Sequence, residues 1–184
     1  MESCQSGAFF MVKNKIIILI SGFLLSSSAG AALSVSIGTA TWQEKIPVIY
    51  SGTEIRAKTS FTGFLFGLGI NVNITDRWIW DMNGSMVAGL ADIQKLENAV
   101  VPRRNVNSIW FANRFVRTIS ERVAIGPNIL MNFRKIDGLN GALSTGGFLD
   151  LDYRIFEKSV MTQSIGSISD SKELAYSIKF TKYF

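Results

Sequence analysis

Two carboxylates spaced to share one face stand near the end of the chain. Asp150 and Asp152 are two residues apart, so on an extended strand their side chains point the same way. Paired carboxylates can divide acid and base roles between them. Arg154 continues the same face, however, and a guanidinium beside two carboxylates describes an ion network rather than a catalytic dyad. Little else in the sequence offers a reaction. The 184 residues include no histidine, which removes the commonest general base. The single cysteine, Cys4, precedes an apolar export-type segment, and no His/Cys cluster has the spacing of a zinc site. Gly63, Gly67 and Gly69 alternate with apolar residues and form no phosphate-cradling motif. We therefore expect no catalytic residue, no cofactor and no metal. The net charge of +5 comes from scattered Lys and Arg, which does not make a nucleic-acid surface.

The elements that carry Asp150 and Asp152 follow from periodicity. Phe64, Phe66, Leu68, Ile70, Val72 and Ile74 alternate with Gly63, Leu65, Gly67, Gly69, Asn71 and Asn73. A two-residue period puts the apolar set on one side of a strand and the small or polar set on the other. The same alternation recurs in Trp78–Met86, Ile109–Phe115, Val123–Met131, Leu149–Ile155 and Leu174–Phe184. Weaker versions occupy Leu33–Thr41 and Ser159–Ile168, which brings the number of strands to eight. Pro127 is awkward inside one of them, because it has no N–H to give the ladder, and it predicts a bulge or a local break.

Only 18% of the residues are charged and the mean hydropathy is +0.24. Outside the N-terminus no apolar run approaches the ~18 residues of a membrane helix. Apolar residues spread in alternation fit a barrel that crosses a membrane with strands of ~9–11 residues. The connections support this. Short polar turns at Thr75-Asp76-Arg77, Ser120-Glu121 and Glu157-Lys158 alternate with longer stretches at Gln43–Ser60, Gly89–Asn105 and Lys135–Gly146. Outer-membrane barrels pair short periplasmic turns with long external loops in this rhythm.

The first 31 residues have the form of a leader. Lys13 and Lys15 precede the apolar core Ile16–Leu25, and Ala29-Gly30-Ala31 is a small-x-small cleavage site. The ten residues ahead of Met11 form an extension. The expected organisation is a signal peptide with its extension over 1–31 and a barrel over 32–184.

The last strand, Tyr176, Ile178, Phe180 and the terminal Phe184, resembles the C-terminal assembly signal of outer-membrane barrels. Lys182 departs from that pattern, in which an apolar or aromatic residue is usual two places before the end. In length and strand count, residues 32–184 resemble the small OmpA/OmpX/OmpW-like barrels, without a motif that selects a subfamily. The resemblance implies an all-β, eight-stranded antiparallel up-and-down transmembrane β-barrel in the outer membrane of a Gram-negative bacterium. It also implies recognition of the last strand by the barrel-assembly machinery. The enzymes among such barrels employ a histidine in catalysis, and this chain has none.

With the apolar faces toward lipid, Asp81, Arg114, Asp150, Asp152, Arg154 and Lys179 fall in the lumen and should pair with one another. Eight strands leave an interior only wide enough for side chains, so a plugged lumen is expected. Trp78 and Trp80 fall where an interfacial girdle belongs. Lys95, Arg103 and Arg104 stand in the second long connection, where they could meet lipopolysaccharide phosphates, envelope proteins or host surface proteins. A structural or adhesive role through the external loops is the leading expectation. A narrow channel or carrier, and a soluble periplasmic barrel with a lipid inside, both remain open on the sequence.

Overall fold

The computed structural model describes residues 31–50, 53–93, 103–168 and 173–184. The leader over 1–31 therefore lies, apart from Ala31, outside the described residues, as does Lys95. Eight strands follow one another: β1 (Ala31–Tyr50), β2 (Thr53–Asn73), β3 (Trp78–Ile93), β4 (Arg104–Thr118), β5 (Val123–Ile136), β6 (Ala142–Phe156), β7 (Ser159–Ile168) and β8 (Ala175–Tyr183). Each pairs with the next, and β1 pairs with β8 to close the barrel. The closing seam is antiparallel and runs from Ser34 opposite Tyr183 to Thr41 opposite Tyr176. Closure removes both sheet edges, so no backbone row is left unpaired in an apolar medium.

Burial is inverted relative to a soluble protein. Phe64, Leu68, Phe111 and Ile129 are 77%, 60%, 58% and 67% exposed, while Asp150 and Arg114 are 0% and 1% exposed. Water would penalise that arrangement by leaving a continuous apolar belt wet. Hydrocarbon accepts it, because the belt then meets lipid and the polar groups meet each other inside. The barrel is a transmembrane one. A soluble barrel would need a polar outward face in place of that belt.

Three short turns lie at one end. Between β2 and β3, Thr75 Oγ1 accepts the N–H groups of Arg77 and Trp78 at 3.3 and 3.1 Å. Between β4 and β5, Ile119 N donates to Val123 O at 2.9 Å. Between β6 and β7 only Glu157 and Lys158 intervene, and the pairing shifts by one residue between Arg154 and Phe156.

The expected long connections are shorter than the sequence suggested. Gln43–Ser60 is mostly strand: β1 runs on to Tyr50 and β2 begins at Thr53. β3 extends to Ile93 and β4 starts at Arg104, while β6 starts at Ala142. The cause is visible in Trp42, Glu44 and Ile46, which point inward beyond the belt, while Gln43 and Lys45 point away from the lumen. Where a strand rises out of the membrane both faces carry polar residues, so the alternation loses its contrast. Gly138, at φ 76°, turns the chain between β5 and β6. That left-handed conformation suits a residue without a Cβ.

Pro127 faces outward in β5, and no bulge accompanies it. Pairing of β4 with β5 keeps one register from Arg114–Asn128 to Arg117–Ile125 and is interrupted only at the residues between. The neighbouring Gly126 allows the two backbones to approach closely, since a Cβ there would lie 1.8 Å from Phe115 O.

Candidate functional site

The lumen is filled in layers. Toward the short turns lies an ionic layer centred on Arg114, which β4 turns inward. Its Nη1 donates to Asp150 Oδ2 at 3.0 Å and to Asp152 Oδ1 at 2.9 Å. Its Nη2 donates to Asp152 Oδ2 at 2.8 Å and, more distantly, to Asp81 Oδ2 at 3.4 Å. The carboxylates are in turn held in place. Asn128 Nδ2 donates to Asp150, Thr162 Oγ1 donates to Asp152 at 2.7 Å, and Tyr183 Oη donates to Asp81 at 3.3 Å. The contact with Asp152 is two-pronged, the arrangement a planar guanidinium favours. Lys179 of β8 is buried in the same layer.

Of the six residues expected in the lumen network, ion pairs join Asp81, Arg114, Asp150 and Asp152, and Lys179 is buried on the inward face of β8. Arg154 is not among them. It is exposed and lines the open mouth at the turn end, because its strand runs out of the barrel just before the register shift at Phe156. Asp150 and Asp152 do not form a free dyad, since both are engaged by Arg114. Among the described residues no group of three or more His, Cys, Asp or Glu is arranged to hold a metal ion.

Above this layer the lumen is apolar and aromatic. Trp42 stacks on Phe61 at 4.9 Å between ring centroids and meets Trp110 edge-on at 5.2 Å. Leu65, Val87, Leu130 and Phe148 pack around them. A cavity of about 20 Å³ separates the two layers, lined by Trp110, Asn128 and Lys179 among others. It has room for about one water molecule.

A second buried ion pair lies beyond the aromatic layer. Arg134 Nη1 sits 2.8 Å from Glu44 Oε2, with both side chains almost wholly buried. Trp42 Nε1 donates to Glu44 Oε1 at 2.8 Å, and Asn132 Nδ2 does so at 3.2 Å. The Arg134 guanidinium also lies 5.7 Å from the Phe61 ring centroid. Sequence reading missed this pair, since Glu44 stood in an expected loop and Arg134 at the end of a strand. The i, i+2 spacing of Trp42 and Glu44 is the one signal that could have placed both on a common face.

Each mouth holds an open cavity. At the turn end one cavity of about 210 Å³ is lined by Asn71, Thr118, Arg122, Lys158 and Tyr183 among others, and a second of about 530 Å³ by Asn73, Thr75 and Glu121 among others. The one at the far end is about 380 Å³, lined by Ile46, Glu54, Arg134, Ile136 and Leu139 among others.

The two arginines proposed for external binding separate. Arg103 lies 3.6 Å from Asp92, with both side chains well exposed. Arg104 donates to Asp137 O at 3.0 Å and braces the β5–β6 turn beside Gly138. Tyr176, Ile178, Phe180 and Phe184 all lie on the outward face of the last strand and its end.

No family model matches the chain, and no curated protein does either. Solved structures do. The attachment invasion locus protein Ail of Yersinia pestis matches at 14% identity over 85% of this chain and 99% of that one, with a TM-score of 0.50. The outer membrane protein OprG of Pseudomonas aeruginosa matches at 13% identity over 85% and 96%, with a TM-score of 0.51. At these identities the likeness is one of fold. The chain thus has the fold of the small eight-stranded outer-membrane barrels.

Proposed function

We propose that this chain is a resident barrel of a bacterial outer membrane that neither catalyses nor conducts, and that acts through the surface its far-end hairpins present outside the cell. One observation carries the reading: the lumen is blocked at successive levels. Trp42, Phe61 and Arg114 are each buried to within 1% of complete. An ion would have to displace the aromatic layer and then break the Arg114 network, and the barrel wall leaves no room to go around them. The absence of histidine from the sequence argues against the usual hydrolytic barrels.

Orientation follows from the turns. The short ones face the periplasm and the hairpin ends of β1–β2, β3–β4 and β5–β6 face outward. The exposed guanidinium of Arg103 is placed to meet lipopolysaccharide phosphates or an acidic envelope or host surface protein. The outward row Tyr176, Ile178, Phe180 and Phe184 is what the barrel-assembly machinery would read. The leader would be removed near Ala31 on export. The fold by itself does not select a role, and a neighbour named for attachment and invasion lends the adhesive reading only analogy.

The test has two arms. Outer membranes run on SDS gels should hold the chain as a band whose mobility changes on boiling. The purified barrel should then give no resolved conductance steps in a planar bilayer. Recovery in the soluble periplasmic fraction sinks the membrane assignment, and stable ohmic steps sink the sealed lumen.

A further inference from the structure

The ionic groups of the lumen face one another, but the amide of Asn113 lies on the other side of the wall. Asn113 is exposed on the outward face of β4, between Phe111 and Phe115 along the strand. Met82 of β3 and Ile129 of β5 are its partners across the sheet. An amide in that belt is costly in hydrocarbon unless its groups find partners. Its carbonyl has one, because Trp80 Nε1 donates to Asn113 Oδ1 at 2.6 Å. An indole N–H can only donate, so the contact fixes the amide orientation and leaves the NH2 as the outward group.

Asn113 does not stand alone. Trp80 stacks on Phe115 at 6.1 Å and 8°. Two residues nearer the short turns, the Arg117 guanidinium lies 5.9 Å from the Trp78 ring centroid. Trp78 pairs with Arg117 and Trp80 with Phe115, so five side chains form one outward patch on two neighbouring strands. It presents a cation at the rim, an aromatic wall below it, and an amide donor four residues, about 13 Å of strand, deeper. Strand tilt reduces that separation to about 10 Å in depth.

We propose that this patch seats one glycerophospholipid, with its phosphodiester on Arg117, its glycerol region along Trp78 and Trp80, and an ester carbonyl accepting from Asn113 Nδ2. The sequence of chemistry down the wall is that of such a lipid: anion outside, acceptor carbonyl at the boundary, hydrocarbon beyond. A girdle tryptophan alone would need no amide, and a protein partner would give no reason for a donor sunk among Met82, Phe111 and Ile129. The choice of phospholipid over lipopolysaccharide rests on the orientation proposed above, which places this patch in the periplasmic leaflet.

The full barrel, refolded in detergent micelles and checked by its heat-shifted gel band, would be titrated with dioleoylphosphatidylglycerol and examined by native mass spectrometry. Wild type should retain one lipid, and R117Q and N113L should each lower the retained fraction at least fivefold. R77Q removes a charge from the adjacent turn without touching the patch and should leave retention unchanged. A dialkyl-ether analogue, which lacks the ester carbonyls, should be retained by wild type at least fivefold less than the ester lipid. That arm needs no variant to fold. Equal retention by wild type, R117Q and N113L overturns the site, as does an equal loss in R77Q, which would reduce it to rim charge. Purified lipid A held in preference through the same residues would overturn the leaflet assignment. These outcomes are independent of conductance and fractionation, so the lipid site and the sealed-barrel reading fail separately.

Discussion

Removing the Arg114 guanidinium while keeping its bulk should destabilise the barrel severely. In R114M three buried carboxylates, Asp81, Asp150 and Asp152, each lose the cation with which they form an ion pair. Four hydrogen bonds go with it, of which the two to Asp152 are the shortest. Among the described residues, Lys179 remains as a buried cation near these acids. Breaking a buried ion pair by deleting one partner costs roughly 3–5 kcal/mol, because the remaining charge keeps its desolvation penalty. The folded-to-unfolded ratio should therefore fall by a factor of roughly a hundred to several thousand. Equilibrium unfolding in urea, with the barrel in detergent micelles and tryptophan emission as the signal, measures this. The triple variant R114M/D150N/D152N leaves Asp81 facing Lys179, a balanced pair, and should recover at least half of the loss. An R114M barrel within ~1 kcal/mol of wild type refutes the reasoning. So does a triple variant less stable than R114M, since that would make the carboxylates worth more without their arginine than with it.

Further outcomes follow from the same geometry. W42A removes the central ring of the aromatic layer and should cost roughly 3–5 kcal/mol in the same unfolding assay. It should still show no conductance steps in a planar bilayer, because the Arg114 layer stays in place. E44L should cost a similar ~3–5 kcal/mol by removing the carboxylate 2.8 Å from the buried Arg134. G126A inserts a Cβ 1.8 Å from Phe115 O, so β4 and β5 must separate next to a proline that already lacks its donor. Overpacking of this kind costs roughly 1–3 kcal/mol, visible as a lower urea midpoint. Deletion of Phe184 should leave the purified barrel able to refold yet lower its steady-state level in outer membranes, as read on immunoblots.

The lipid-facing belt was the most legible feature. Six apolar residues at period two, from Phe64 to Ile74, admit one backbone and two faces, and hydrocarbon demands near-uniform apolarity on one of them. The rhythm of short turns was legible for a similar reason, since Thr75-Asp76-Arg77 and Glu157-Lys158 are local signals. The strand extensions above the belt were not. Around Lys45 and Lys58 the outward face carries charge while the inward face mixes Trp42, Glu44, Thr59 and Phe61, and no contrast marks the strand.

By itself the sequence determined the number of strands, their alternation, and the inward side of Asp81, Arg114, Asp150, Asp152 and Lys179, because side-chain direction in a strand is set by parity. Only the tertiary structure decided which of these meet. Contact across a barrel depends on the stagger between strands far apart in the chain, and parity says nothing about stagger. Closure of β1 on β8 and the tilt of every strand bring Glu44 to Arg134, 90 residues later, and Trp42 to Trp110. Arg154 shares the parity and the register of Asp152 yet lies at the mouth, because β6 has run to the end of the barrel there. The lumen is therefore sealed by residues whose inward direction is local information, in layers that exist only because the sheet closes on itself.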